Sequence, residues 1–554
     1  MRHFPYFLVA ACLMTGCGNQ DVHAQPDPYV SGGILSPEQA AFDVTFYDLA
    51  LRINPADSSI RGALMATVRI VSPTKWLVLD LDPVLEVDSV SLVDFEGEQG
   101  LRYQRRGGRL WIDLLVTRQP QSEISVKVAY GGRPRVAPRP PWDGGFTWAR
   151  TASGEPWIAT SCQTIGADVW WPVKDHPSDE PDSMALHFTV PRPLVAASNG
   201  RLESVVPEGA GWRTYNWFIS TPINVYNVAL NAAPYELIED SHESVAGGAF
   251  PIEFYVLPED YEKGLEFLPE IHAHLKFFEE HFGPYPFRAD KYGVAQTPHL
   301  GMEHQSIIAY GANFSNTSMT GRDWGFDALH HHELSHEWWG NMVTNVNWND
   351  MWIHEGFGSY TQALYVEELE GMDGYHEYMN NMRGGIRNQK PVAPREPWNS
   401  MEIYGGDIYS KGAWVLHSLR FLIGHETMAR LLRRMAYPDP SMEKITDGSH
   451  CRFVTTDDFL YMAEAIADRD LDWFFEVYLR QPDLPELNVQ REGTRMHLRW
   501  VTANNLPFPM PLEIAVDGEI RRVSMPGGRA TIIIPEEAQV TADPNKWVLR
   551  VISD

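Results

Sequence analysis

The sequence predicts an α+β multidomain protein: an N-terminal antiparallel β domain, a central mixed domain rich in helices, and a small C-terminal β-sandwich. Three observations lead there. Apolar residues alternate with period two from Phe42 to about residue 243, helical spacing dominates from there to about Arg480, and the alternation returns over the last 70 residues. A chain of 554 residues exceeds one ordinary core and fits two to four domains.

In chain order, the first element is MRHFPYFLVAACLMTGC: a basic start, an apolar run from Phe4 to Met14, then small residues before Cys17. It reads as a secretory signal over 1–17, too short to span a bilayer. Its LMTGC ending resembles a bacterial lipoprotein signal, cut between Gly16 and Cys17 and acylated on Cys17, although Met14 stands where Leu is usual. Several acyl chains, at about 0.8 kcal/mol per buried methylene, would make a lasting anchor in a lipid bilayer. A plain cleaved signal and an uncleaved anchor are the alternatives. Gly18 does not suggest retention at an inner membrane, so the expected location is the outer membrane or cell surface of a bacterium, facing periplasm or exterior. Residues 18–40 are expected to be a tether.

The β domain is expected over 41–243, from alternation such as Leu49, Leu51, Ile53 and Ile124, Val126, Val128. A Pro/Gly-rich surface loop interrupts it at Arg133 to Gly145. Small and polar residues from Ser241 to Phe250 suggest its end. The central domain, 244–484, opens with a helix over Tyr261 to Phe282, whose apolar positions include Leu265, Leu268, Leu275 and Phe278, stopped by Gly283 and Pro284. Alternation at Met496, Leu498, Trp500 and at Leu512, Ile514, Val516 marks the sandwich over 485–554.

Composition narrows the function. With 45 Lys+Arg against 73 Asp+Glu, a formal charge of -28 repels phosphate backbones and excludes nucleic acid as a partner. Beyond the signal only Cys17, Cys162 and Cys451 remain, so at most one disulfide can form and the core must stabilise itself.

The chemistry concentrates in HHHELSHEWWGN, His330 to Asn341. His332 and His336 are four apart, so on a helix both imidazoles project from one face at the separation two ligands of one ion need. Glu333 between them can take a proton from metal-bound water. Glu355 follows His336 after eighteen intervening residues, on a second helical pattern long enough to return to the same metal. Two imidazoles and one carboxylate leave the fourth position of a tetrahedral Zn²⁺ open, the catalytic arrangement. The bland alternative is solvated or packed polar residues, which is the expectation for His330, His331 and His354. Asp350 is a candidate hydrogen-bond partner for the outer nitrogen of a ligating histidine.

HELSHEWWGN followed by WNDMWIHEGFGSY resembles the aminopeptidase N family of gluzincin zinc metallopeptidases, whose pattern is H-E-x-x-H, eighteen residues, then E in W-x-x-E-G-F. FGPYPF at Phe282, GMEHQ at Gly301, YSKGAWVL at Tyr409 and WFFEVYLRQPDLPELNV at Trp473 are similar to family landmarks in family order. SCQTIGADVWWPVKDHP, Ser161 to Pro177, resembles the segment by which the β domain reaches into the active site. The resemblance implies a saddle-like N-terminal domain, a thermolysin-like α/β catalytic domain, and one Zn²⁺ per chain on His332, His336 and Glu355. It further implies Glu333 as general base and proton shuttle, Tyr409 as donor to the oxyanion, and Glu303 as the carboxylate that binds the substrate amine. Gln163 matches a residue assisting at the amine, and Gly301 and Met302 belong to the same substrate-binding motif.

Two departures stand out: Leu300 replaces the first motif Gly, and His304 replaces Asn. Larger members also continue with a helical domain over the active site, whereas this sequence stops after the small β domain, so the expected form lacks that roof. The reading is a lipid-anchored zinc aminopeptidase acting on peptides with a free N-terminus, by attack of a zinc-bound water. A thermolysin-like endopeptidase and a catalytically silent zinc-containing surface lipoprotein that only binds are the alternatives. Oligomeric state and the preferred N-terminal residue are not legible.

Overall fold

The computed structural model describes residues 30–552, so the expected signal, Cys17 and the first part of the tether lie outside the described residues. The N-terminal domain is built on an eight-stranded sheet in the spatial order Arg201–Pro207, Trp212–Ile219, Ser183–Pro191, Phe42–Asn54, Ser59–Ile70, Glu123–Gly132, Leu85–Asp94 and Gly97–Gly100. Its register follows the alternation: Leu49 lies opposite Leu64 and Ile53 opposite Ile60, all buried on one face. The sheet is not wholly antiparallel. Phe42–Asn54 and Ser183–Pro191 pair in parallel, because the intervening chain crosses through other strands rather than returning by a hairpin.

One of those strands, Pro156–Ser161, belongs to a four-stranded sheet and feeds directly into the segment Ser161 to Pro177. That segment is buried over most of its length, against the catalytic domain.

Two expected boundaries move. The division at 243 falls inside a β-hairpin: Glu236–Glu243 pairs with Ala249–Val256, and the small residues between them are its turn. Both strands belong to the central sheet, ordered Glu236–Glu243, Ala249–Val256, Tyr292–Gln296, Ile308–Tyr310 and Gly301–Met302. The tether also ends sooner than residue 40. Ser31 and Gln39 are buried, and Gln39 donates to Asp80 at 2.6 Å.

The central sheet is packed by helices α1 (Tyr261–Phe282), α2 (Ala328–Ser335), α3 (Trp352–Arg383, kinked at Gly371), α4 (Ser400–Ile403), α5 (Gly406–Ile423), α6 (His425–Ala436), α7 (Thr456–Ala467) and α8 (Asp472–Tyr478). In α1 the buried stripe is Phe267, Ile271, His274, Leu275 and Phe278. Leu265 faces outward at 39 % exposure, since it lies off that stripe. α3 and α5 cross at Gly356 and Gly412, where a Cβ on either would stand 3.0 Å from the other's Cα.

The C-terminal region forms two three-stranded sheets, and its last residues seal onto α5. Ser418 donates to the Trp547 carbonyl at 3.0 Å and accepts from the Leu549 N–H at 3.0 Å, while Trp547 stacks on His417. Cys162 and Cys451 are both free thiols. Among the described residues no helix is long and apolar enough to cross a membrane.

Leu275 sits fully buried on the α1 stripe. Leu275→Ala is expected to cost about 2–5 kcal/mol, read as a lower urea midpoint with an unchanged slope.

Candidate active site

α2 begins at Asp327, whose carboxylate accepts from the His330 N–H at 3.0 Å and from the Tyr310 hydroxyl at 2.6 Å. One helical turn then sets His332 above His336, which follows the last helical residue but keeps right-handed backbone angles. Their Nε2 atoms are 3.2 Å apart. α3 returns past them and brings Glu355 Oε2 to 3.3 Å from His332 Nε2 and 3.5 Å from His336 Nε2.

Ligands at about 2.0–2.1 Å from a tetrahedral Zn²⁺ stand about 3.3 Å from one another, so this triangle fits one ion. A second observation agrees. Glu355 is 2 % exposed, yet its Oε2 has no hydrogen-bond partner, a costly state for a carboxylate unless a cation meets it. Burial pushes His332 down to about 4, keeping the imidazole in the neutral form that ligates. His336 Nδ1 lies 3.0 Å from the Trp339 carbonyl, which places the ring proton there and turns the Nε2 lone pair toward the triangle.

The triangle opens into a cavity of about 230 Å³ whose lining includes Trp142, Leu300, Met319 and Leu329. The edge strand Gly301–Met302 forms one wall. A Cβ at Gly301 would stand 2.3 Å from Glu333 Oε1 and 2.6 Å from Leu329 Cδ1, so the strand passes directly over the Glu333 carboxylate. Burial, then the charges of Glu303 and Glu355, hold Glu333 well above the usual carboxylate range among the protein's own groups. A bound dication acts in the opposite direction.

Glu303, 3 % exposed, lines the cavity. Its Oε1 accepts from Gln163 Nε2 at 2.5 Å and from the Tyr226 hydroxyl at 3.0 Å. Gln163 also donates to Glu355 Oε1 at 2.9 Å, so one amide joins the β domain to both carboxylates. Burial raises Glu303 above its ordinary range, His336 opposes the shift, and Glu355 adds to it. Tyr409, on α5, stacks near His332 with its hydroxyl 2.9 Å from that of Tyr404. Burial raises Tyr409 well above its ordinary value, so it keeps its proton and can donate it.

Nine expected residues therefore meet around one cavity: His332, His336, Glu355, Glu333, Tyr409, Glu303, Gln163, Gly301 and Met302. Tyr404 also lines the cavity and Tyr226 reaches the site through its bond to Glu303, both without a sequence signal; Tyr404 stands five residues before Tyr409, outside any motif. Asp350 does not orient a ligand. Its Oδ1 is taken by the Thr456 N–H and hydroxyl at 2.7 and 2.6 Å, tying the turn that precedes α3 to the start of α7. His330 lies between Tyr292 and His274, His331 packs among Phe277, Phe278 and Tyr365, and His354 accepts from the Asn345 N–H. His304 is buried and held down to about 3, so it stays neutral.

A helix with two histidines, a return helix with the third ligand and an edge strand over the intervening glutamate define a zinc metallopeptidase fold. Residues 261–478 match the Peptidase family M1 domain and residues 44–226 the Peptidase M1 N-terminal domain; the chain belongs to peptidase family M1. It is 26 % identical over 370 residues to Leucine aminopeptidase 2 of Vanderwaltozyma polyspora, covering 64 % of this chain and 51 % of that one. It is 23 % identical over 387 residues to Endoplasmic reticulum aminopeptidase 1 of Mus musculus, covering 63 % and 41 %. The chain thus spans about half the length of these relatives, or less. An M1 zinc metallopeptidase variant from Deinococcus radiodurans, solved with the substrate Tyr-Ser-Ala, shares the fold with a TM-score of 0.64 at 24 % identity, over 80 % of this chain and 95 % of that one.

The passage of Gly301 over Glu333 makes this glycine sensitive. Gly301→Ala is expected to lower kcat about 100-fold through a displacement of order 1 Å at Glu333, with zinc content by atomic absorption unchanged.

Proposed function

We propose that the protein is a zinc aminopeptidase that removes N-terminal residues from peptides. The observation that carries the reading is Glu303: a buried carboxylate with two donors, lining the cavity beside the ligand triangle and sharing the Gln163 amide with Glu355. A free α-ammonium is the substrate group that such a carboxylate binds. The relatives named as aminopeptidases, and the structural neighbour solved with a tripeptide, support the substrate class.

Zn²⁺ on His332, His336 and Glu355 supplies Lewis acidity toward the scissile carbonyl and the attacking water. The chain's own residues do the rest. Glu303 accepts from the ammonium, and Gln163, whose Nε2 is committed to the carboxylates, turns its Oε1 to the same group. The substrate main chain lies along the open edge of Gly301–Met302, as an added strand. Tyr409 donates its hydroxyl proton in a hydrogen bond to the carbonyl oxygen as negative charge grows there. Glu333 takes the proton of the attacking water and passes it to the leaving nitrogen.

The endopeptidase reading gives Glu303 no partner, since a chain continuing past it would bury a neutral peptide group against a carboxylate. The silent-binder reading leaves the coincidence of Glu333, Tyr409 and a full ligand triangle around one cavity without a reason.

Glu333→Gln is expected to lower kcat by about 10²–10⁴-fold with zinc retained. N-acetylating a good peptide substrate is expected to abolish its cleavage; equal rates for blocked and unblocked peptide would replace this reading with the endopeptidase.

Export and anchoring belong to the same proposal and rest on residues 1–17 alone. Cys17→Ala is expected to move the protein from the membrane fraction to the soluble one; continued sedimentation with membranes counts against acylation at Cys17.

A further inference from the structure

We infer that residues Ser31 to Gly33 are a positioning clasp for the amine end of the active site. These residues precede the first sheet strand and have no part in any sheet, yet Ser31 is only 2 % exposed. Every hydrogen-bonding group of Ser31 is used. Its N–H is shared between Ser400 Oγ at 3.1 Å and the Thr164 carbonyl at 3.4 Å. Its carbonyl accepts from the Ser400 N–H at 3.1 Å. Its hydroxyl accepts from Trp348 Nε1 at 3.2 Å and interacts with Asp175. Ser400 Oγ donates in turn to the Thr164 carbonyl, closing a ring of three residues from three separate parts of the chain.

Two of these partners stand next to amine-recognising groups. Thr164 follows Gln163 directly, and Asp175 lies near the other end of the same inserted segment. Trp348 packs against Tyr226, with ring centroids 5.8 Å apart, and Tyr226 donates to Glu303. The strap therefore braces Gln163 through the peptide beside it and Glu303 through an aromatic contact. Among the described residues its hydrogen bonds reach neither α2 nor α5, which carry Glu333 and Tyr409.

Gly32 shows how closely the clasp is fitted. Its φ of +74° is left-handed, and a Cβ there would stand 2.2 Å from Trp348 Cδ1, so no other residue fits without moving the indole or the strap. On the far side His176 Nε2 lies 3.1 Å from the Gly33 carbonyl, and Gly32 bridges to Asn399, the residue that caps α4.

A clasp of this kind acts on substrate affinity and leaves the chemical step alone. The inference rests on the aminopeptidase reading, so its test includes a measurement that needs no turnover. In Ser400→Ala and Gly32→Ala, amide hydrogen exchange over Ser161 to Asp168 is expected to speed up about tenfold. KM for an unblocked alanyl peptide is expected to rise about fivefold to tenfold, the scale of one lost hydrogen bond, with kcat within about twofold and zinc content unchanged.

Unchanged exchange in Ser161 to Asp168 overturns the clasp, and so does a fall in kcat that tracks loss of zinc. If Gly32→Ala does not fold, Ser400→Ala carries both measurements. A wild-type protein that cleaves no unblocked peptide removes the aminopeptidase reading, while the exchange result still decides the clasp.

Discussion

The structure depends on keeping three metal-ligating atoms close together. His332 Nε2, His336 Nε2 and Glu355 Oε2 stand within 3.5 Å of one another inside the protein, and Oε2 has no hydrogen bond. A buried carboxylate oxygen without a partner costs several kcal/mol, and a flexible scaffold would relax it away. This scaffold does not relax. α2 is capped at Asp327, α3 is tied to α7 through Trp352 and Thr456, and α3 meets α5 at a glycine contact that admits no side chain. The rigidity that holds these three atoms at a fixed separation is what makes the triangle selective for an ion of the right size.

On the proposed reading the work is divided between supports of different kinds. The groups assigned to the reacting atoms, Glu333 and Tyr409, sit on helices. The groups assigned to the substrate end come from irregular chain: Gln163 from an insertion of the β domain, Glu303 from just beyond a two-residue strand, Tyr226 from a short turn. Irregular chain has few backbone hydrogen bonds of its own and must borrow rigidity from neighbours. The density of side-chain bonds around Thr164, Ser400 and Ser31 follows from that need.

Much of this was legible in the sequence where one local rule governs one element. The four-residue spacing of His332 and His336, the extent of α1 and the alternation around Leu49 are each properties of a single helix or strand. What was not legible required two distant segments at once. Asp350 reads as a ligand's partner because it neighbours the second helix, but Thr456, 106 residues on, supplies donors that claim it first. The small residues near Ser244 read as the end of the β domain, and only the pairing of the flanking strands shows them to be a turn. Leu265 fits a helical period but misses the stripe by position. Tyr226 had no signal because a lone tyrosine in a turn looks the same whether its hydroxyl meets water or Glu303.

The edge strand Gly301–Met302 carries one more consequence. An open strand edge offers only peptide groups, so a guest laid along it is held through its amides, whatever side chains it bears. For an aminopeptidase, as proposed, such a seat has a fixed stride and no memory: once the first residue had left, the next amine would fall into the place of the last, and the same wall would measure out the same single step. Proline is the guest that breaks step, because as the second residue it brings no N–H to the edge.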